Sequence, residues 1–240
     1  MPQDERSPAS DIVTLLAEGE IEIVGRMPWS SNQTFLVTCS SGDEETGGVY
    51  KPERGERHLW DFPGAIFRRE VAAYELSAAL GWDLVPETII RAEAPFGEGS
   101  LQRFVDADFS QHHFTLIEDE QYHERLRAIC AFDVVANNAD RKSGHCILGD
   151  DGNIWAIDNG LCFHREPKLR TVIWEFAGDR VPDALLEDLS ALADDVPVAL
   201  LELLSPAEVD AVRRRAQKLV AKGRFPVPDP NEHCYPWPLV

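Results

Sequence analysis

NNADRKSGHCILGDDGNIWAIDNGLCF, residues 137–163, holds the densest set of reactive side chains in the chain. It follows an apolar helical run and sets Asn138, Asp140, Arg141 and His145 on one short polar segment. CILG and IWAI flank DDGN as a strand, a turn and a strand, with Asp151–Gly152 at the tip. With a two-residue turn, Asp150 faces Asn153 and His145 stands opposite Asp158, their Cβ atoms about 5 Å apart. An imidazole and a carboxylate at that spacing suit one divalent metal ion. Alone, an Asp before a strand is ordinarily a cap and a His a solvated side chain. The coincidence of Asp140, His145 and Asp158 makes the segment a candidate site. Asp133, in the helix before it, reads as structural.

Working outward, the second half is helical on both sides of this hairpin. Helices are expected at about 117–137, 183–194, 196–204 and 206–222, the last opened by Ser205 and Glu208 as a capping box. DADFSQHH, residues 106–113, reads as a loop, and His112, His113 and His123 as solvated groups. The tail PVPDPNEHCYPWPLV is Pro-rich and is expected to lie extended over the surface.

The first half reads differently. A short helix capped by Asp11 spans 11–17. EIEIVGRM and TFLVTCS are strands around the turn PWSSNQ, and GGVYKP, ETIIRAE and GSLQRFV are three more. Residues 64–81 place apolar side chains at 67, 71, 74 and 78, which is helical spacing, and end at Gly81. The expected class is α+β with two lobes: a strand-rich lobe over 1–105 and a mainly helical lobe over 106–240. A nucleotide would suit a cleft between such lobes.

Within the first lobe, Lys51 shares a strand face with Val49, and Glu70 falls beside Phe67 and Tyr74 on the apolar side of its helix. Charges aimed into a core are costly unless paired, so the two are expected to pair with each other. A strand lysine joined to a helix glutamate is the device with which kinases hold ATP phosphates.

Composition narrows the function classes. Basic residues number 23 against 42 acidic ones, a net charge of −19, which weighs against nucleic acid and against an anionic membrane surface. The five cysteines include no C-x-x-C pair, so neither a disulfide framework nor a zinc site is indicated. No apolar run of about 18 residues occurs, no signal peptide is expected, and the cytoplasm is the expected compartment.

GVYKP, the helix bearing Glu70 followed by LVPET, then GSLQRFV, NNADR and AIDNGLCF occur in an order that resembles the phosphoinositide 3-/4-kinase-like superfamily, type II phosphatidylinositol 4-kinases and their bacterial relatives in particular. The resemblance covers about residues 22–165, and NADR with AIDNGL is its most specific part. It implies a two-lobed, protein-kinase-like fold and an ATP-dependent phosphotransferase using Mg²⁺ or Mn²⁺. It makes Lys51 the phosphate-binding lysine, Glu70 its partner, Asp140 the catalytic aspartate and Asp158 a metal ligand. Gln102, Arg103, Phe104 and Val105 become the hinge against adenine. Residues 25–35, with Ser30, Ser31 and Asn32, become the loop over the phosphates.

The chain departs from the family in three ways. His145 stands where the family carries Asn, five residues after the catalytic Asp. The phosphate loop is poor in glycine, although hydroxyls and backbone N–H groups also hold phosphate. The Cys-rich, lipid-modified insert of the eukaryotic lipid kinases is missing.

In the mechanism expected from the register and the resemblance together, Asp158 and His145 hold the metal and Lys51 holds the α/β phosphates. Asp140 orients an acceptor hydroxyl, Arg141 stabilises charge and Asn138 fixes the loop. A protein Ser/Thr, the chain's own included, or a soluble molecule is preferred to a lipid as acceptor. The alternatives are a phosphatidylinositol-type lipid kinase, a nucleotide-binding pseudokinase and a metal-dependent hydrolase built on the His/Asp cluster.

Overall fold

The computed structural model of the chain describes residues 8–28 and 32–240. Ser30 and Ser31 therefore lie outside the described residues. Two compact units are present, one formed by residues up to Val71 together with Pro86–Val105, the other by Ala72–Val85 together with Asp106–Val240.

The first unit is an antiparallel sheet with a helix. Helix α1 (Pro8–Glu18) precedes strands β1 (Glu20–Arg26), β2 (Phe35–Ser41) and β3 (Glu44–Pro52), with β4 (Thr88–Arg91) and β5 (Gly99–Arg103) later in the chain. Their order in the sheet is β1-β2-β3-β5-β4. The strands alternate because one face is buried: Leu16 of α1 packs with Val37, Cys39, Tyr50 and Leu101. The guanidinium of Arg91 closes the end of α1, donating to the carbonyls of Leu16 and Gly19, each at 2.9 Å. These carbonyls have no partner inside the helix, and a cation suits them. Helix α2 (Ile66–Ala79) begins where the Glu56 carboxylate accepts the N–H of Phe67 at 2.7 Å.

The second unit is built round α4 (His123–Ala136), whose Leu126, Ile129, Phe132 and Val135 are fully buried. Around it stand α3 (His113–Leu116), α5 (Asp183–Asp194), α6 (Val198–Leu203), α7 (Pro206–Lys222) and a sheet in the order β6-β7-β8, formed by Ala107–Asp108, Cys146–Gly149 and Ile154–Ala156. Residues 72–85, placed by composition in the first half, belong to this core. Ala72, Leu76, Leu80, Leu84 and Val85 join its hydrophobic cluster, and the Leu84 carbonyl accepts the N–H of Ala156 at 2.7 Å.

Three local expectations change. The helix expected from 117 begins at His123, because Asp119 accepts the Gln121 N–H and starts a separate 3-10 turn over Glu120–Tyr122. The loop 106–113 contains β6, paired through Ala107 with Gly149. His113, expected to be solvated, is buried with Nε2 3.1 Å from Glu175. The capping box of α7 is present, with the Ser205 N–H donating to Glu208 at 3.0 Å. The tail has no regular structure but is anchored: the Cys234 carbonyl accepts from Thr171 N and Trp174 Nε1, both at 3.1 Å, and the Leu239 carbonyl from Ser143 N at 2.8 Å.

Candidate active site

In the first unit, β3 pairs with β5 so that Lys51 lies opposite Ser100. Tyr50 points into the sheet core, so its neighbour Lys51 points to the other face. There its ammonium meets the Glu70 carboxylate of α2. The Glu70 side chain is 3% exposed and that of Lys51 19%. A carboxylate so deep stays ionised only with a cation beside it, and the lysine keeps a wet edge from which to meet an anion.

The loop between β1 and β2 is closed by Met27 N–H donating to Thr34 O at 2.9 Å. Asn32 accepts the backbone N–H of Arg57 at 2.8 Å, so its side-chain oxygen steadies the loop from outside. At the end of β5 the Gln102 amide is buried and donates to Thr88 Oγ1 at 2.8 Å. Arg103 N–H donates to Glu87 O at 2.8 Å, and Phe104 N–H to Gly47 O at 2.9 Å. The side chain of Gln102 and the N–H groups of Arg103 and Phe104 are therefore engaged within the unit itself.

In the second unit the polar segment begins where α4 ends, at Asn137 in the left-handed region with φ 55°. Asn138 is buried; its amide donates to Asp133 at 3.2 Å and accepts the Asp140 N–H at 2.9 Å. Asn138 thus fixes the backbone that presents Asp140. The next residue, Arg141, is fully buried. Its guanidinium clasps Asp133 at 3.0–3.1 Å, donates to Asn159 Oδ1 at 2.7 Å, and reaches the carbonyls of Ile157 at 2.8 Å and His145 at 3.3 Å. From its place beside Asp140 this charge is expected to serve the reaction. Its donors are instead committed to the core, where they tie α4, the polar segment and the hairpin together, so Arg141 is a positioning residue.

Asp140 is partly exposed, with Lys142 Nζ 3.0 Å from its Oδ2. Burial pushes the Asp140 carboxyl above the usual aspartate range; Lys142 pulls it back, and the nearby Asp158 charge pushes it further up. Lys142 is not among the residues expected from the sequence to belong to the site. A signal for it exists in the spacing: a basic residue two positions after Asp140 lies within reach of the same carboxylate.

The hairpin register differs from expectation by one residue. Cys146 pairs with Ala156 and Leu148 with Ile154. The loop is three residues long, with Gly149 N–H donating to Asn153 O at 2.9 Å and Gly152 at φ 78°. Glycine is needed there because that left-handed position closes a three-residue hairpin. By pairing, His145 therefore faces Ile157, whose N–H donates to the His145 carbonyl at 3.0 Å. Asp158 still reaches the imidazole, at 3.4 Å from His145 Nε2 to Asp158 Oδ2. Its own left-handed conformation, φ 56°, turns the chain out of the strand and leaves the carboxylate half exposed. Aspartate tolerates that region better than most side chains.

Among the described residues no group of three His, Cys, Asp or Glu side chains converges as a closed metal site. The two donors His145 and Asp158 suit an ion that takes its remaining ligands from phosphate and water, as Mg²⁺ and Mn²⁺ do.

The sequence profile of the family described as phosphatidylinositol 3- and 4-kinase matches residues 72–214. Protein Rv2133c of Mycobacterium tuberculosis is 41% identical over 93% of this chain and 94% of its own. Among solved structures, hydra Fam20 with sugar superposes with a TM-score of 0.59 at 15% identity, over 90% of this chain and 89% of that one. The Helicobacter pylori proinflammatory kinase CtkA superposes with a TM-score of 0.50 at 12% identity, over 88% and 94%. At such identities the likeness is one of fold, and the fold is kinase-like.

Proposed function

Because the chain belongs to the phosphatidylinositol 3- and 4-kinase family, a family of phosphotransferases, we propose that it transfers the γ-phosphoryl group of ATP to a protein hydroxyl, its own included, or to a soluble molecule. The observation that carries this reading is the set Asp140, Lys142, His145 and Asp158, held by the buried Asp133–Arg141 pair on the segment that the family matches. The net charge of −19 supports a soluble acceptor over a lipid, since an anionic bilayer repels such a chain. Among the described residues no helix is long and apolar enough to cross a membrane.

Each group takes a role that its surroundings suit. Lys51, steadied by Glu70, binds the α/β phosphates, and the loop carrying Asn32 covers them. The segment Gln102–Val105 borders the adenine, with Val105 at the end of the run whose preceding N–H groups are engaged. Asp140 orients the acceptor hydroxyl and receives its proton, for which a raised carboxyl is an advantage. Lys142, beside it, offsets negative charge on the transferred phosphoryl group. Asp158 and His145 would hold the divalent ion, which when bound neutralises the β- and γ-phosphate oxygens.

The test is incubation of the pure protein with ATP and Mg²⁺ or Mn²⁺, read by mass spectrometry for phosphate on the chain and on added acceptors. Transfer lost in Asp140→Ala supports the reading. ATP binding without transfer to any acceptor would instead favour a pseudokinase, the reading that His145 in place of the family's Asn leaves open.

A further inference from the structure

The end of helix α7 and the two residues after it carry the run RRRAQKLVAKGR, residues 213–224, in a chain whose net charge is −19. The second unit contains a cavity of about 500 Å³ lined by Arg165, Arg214, Arg215, Lys218, Lys222 and Arg224. Its apolar lining is aliphatic, from Val134, Leu169, Ala211 and Leu219, with prolines at 167 and 226. No Asp or Glu is among the described residues that line it.

Six cations round one apolar hollow repel each other, and the protein compensates only some of them. Arg214 pairs with Asp210, Arg165 lies 3.8 Å from Glu166, and Arg224 donates to Gly178 O at 2.7 Å. Lys218 and Lys222 make no ion pair among the described residues. Arg215 donates Nε to Val135 O at 2.7 Å and Nη1 to His164 O at 3.3 Å, but its buried Nη2 has no partner. A buried guanidinium N–H without an acceptor is costly, more so than a neutral one. Burial, with the like charge of Arg214, pushes Arg215 down to about 10.

We propose that this cavity binds a small anionic amphiphile, an alkyl chain ending in a phosphate group. Guanidinium forks match phosphate oxygens in pairs, and the lysines add charge at the rim. The aliphatic lining accepts an alkyl chain but gives a nucleobase no aromatic face on which to stack. The volume is that of a small-molecule site. Neither Asp140, Lys142, His145 nor Asp158 lines the cavity, so the site is separate from the proposed phosphotransfer residues. A free alkyl phosphate and a single-chain lipid with a phosphate head offer the same chemistry.

Calorimetric titration of the full chain without ATP tests this independently of any activity. The probe is n-octyl phosphate below its micellar concentration, against inorganic phosphate and n-octanol as its two halves. One octyl phosphate is expected to bind, about tenfold or more tighter than either half and with a raised melting temperature. The exposed double substitution Lys218→Glu with Lys222→Glu is expected to weaken it by about tenfold or more while leaving the unliganded melting temperature unchanged. Sedimentation with phosphatidylcholine vesicles bearing lysophosphatidic acid identifies a lipid source; binding to free octyl phosphate alone identifies a soluble one. Equal affinity for inorganic phosphate would reduce the site to counter-ion attraction, and equal affinity for octanol to an apolar hollow. Either result, or unchanged binding in the double variant, overturns the proposal.

Discussion

The guanidinium of Arg141 and the carboxylate of Asp133 meet at 3.0–3.1 Å through Nε and Nη2, with both side chains out of solvent. Asp133 also accepts from Asn138 and from Thr171 Oγ1, so one carboxylate anchors three parts of the site. Removing one partner of such a pair strands the other as a buried charge. Asp133→Ala is expected to lower unfolding free energy by about 3–5 kcal/mol, measured by urea denaturation. Arg141→Lys should not preserve stability, because an ammonium cannot fork to Asp133 while also reaching Asn159. A loss below about 1 kcal/mol in either variant would mean that the pair does not organise the loop.

Much of this framework could be read in the sequence, and the failures have physical causes. The limits of α5 and α7 were legible because their apolar periods are regular, and α7 has both the Ser205–Glu208 box and Gly223 at φ 59°. Lys51 and Glu70 were legible because a charge on an apolar face demands a partner. Burial of Arg141 was not: arginine is ordinarily a surface residue, and its partner stands eight positions away on a helix that reads as apolar. The hairpin register departs from expectation because DDGN fits a two- or three-residue loop equally well: a left-handed Gly152 closes either, but the two-residue turn also needs Asp151 left-handed, and it is not. β6 was missed because it is two residues long, and its partner β7 lies about forty residues further on.

Asp140 gives a pH dependence with a definite sign. Its carboxyl is raised chiefly by burial and further by Asp158, against the lowering effect of Lys142. The acid limb of kcat/KM should therefore lie above the ordinary aspartate value of about 3.9. Lys142→Met removes a lowering influence and should move that limb to higher pH. For stability, a raised folded value favours the native state at low pH, and the advantage is lost as pH rises through that value. Asp140→Asn should thus be no less stable than wild type at neutral pH, while kcat falls about 10²–10⁴-fold and ATP affinity stays within several-fold. A limb that does not move in Lys142→Met would separate the lysine from the titrating group.

The Lys51–Glu70 pair calls for a double-mutant cycle. Glu70→Ala leaves a half-buried lysine without its carboxylate, and Lys51→Ala leaves the carboxylate buried and alone. The second change should cost more stability, about 3–5 kcal/mol, because Glu70 is the deeper group. Both should weaken ATP use, and the double variant should lose much less than the sum of the singles. Additive losses in stability and in ATP affinity would show that the side chains act separately.

His145 supplies the sharpest test of the proposed metal site. Its Nε2 faces Asp158 Oδ2 at 3.4 Å, and its Nδ1 lies 3.4 Å from the backbone N–H of Lys142. The family carries an Asn oxygen at this position, and Mg²⁺ prefers all-oxygen octahedral sites. An imidazole nitrogen suits softer divalent ions, so the exchange of oxygen for nitrogen should tilt the site toward Mn²⁺. Wild type is expected to favour Mn²⁺ over Mg²⁺ more strongly than His145→Asn does, with transfer measured across a titration of each metal. Binding of Mn²⁺ to the nucleotide complex, followed by electron paramagnetic resonance, should weaken in the same variant. An unchanged ratio with unchanged Mn²⁺ affinity would leave the imidazole a hydrogen-bond partner of Asp158, the role that an Nδ1 accepting from Lys142 permits. Asp158 would then stand as the ligand, oriented by His145 from behind.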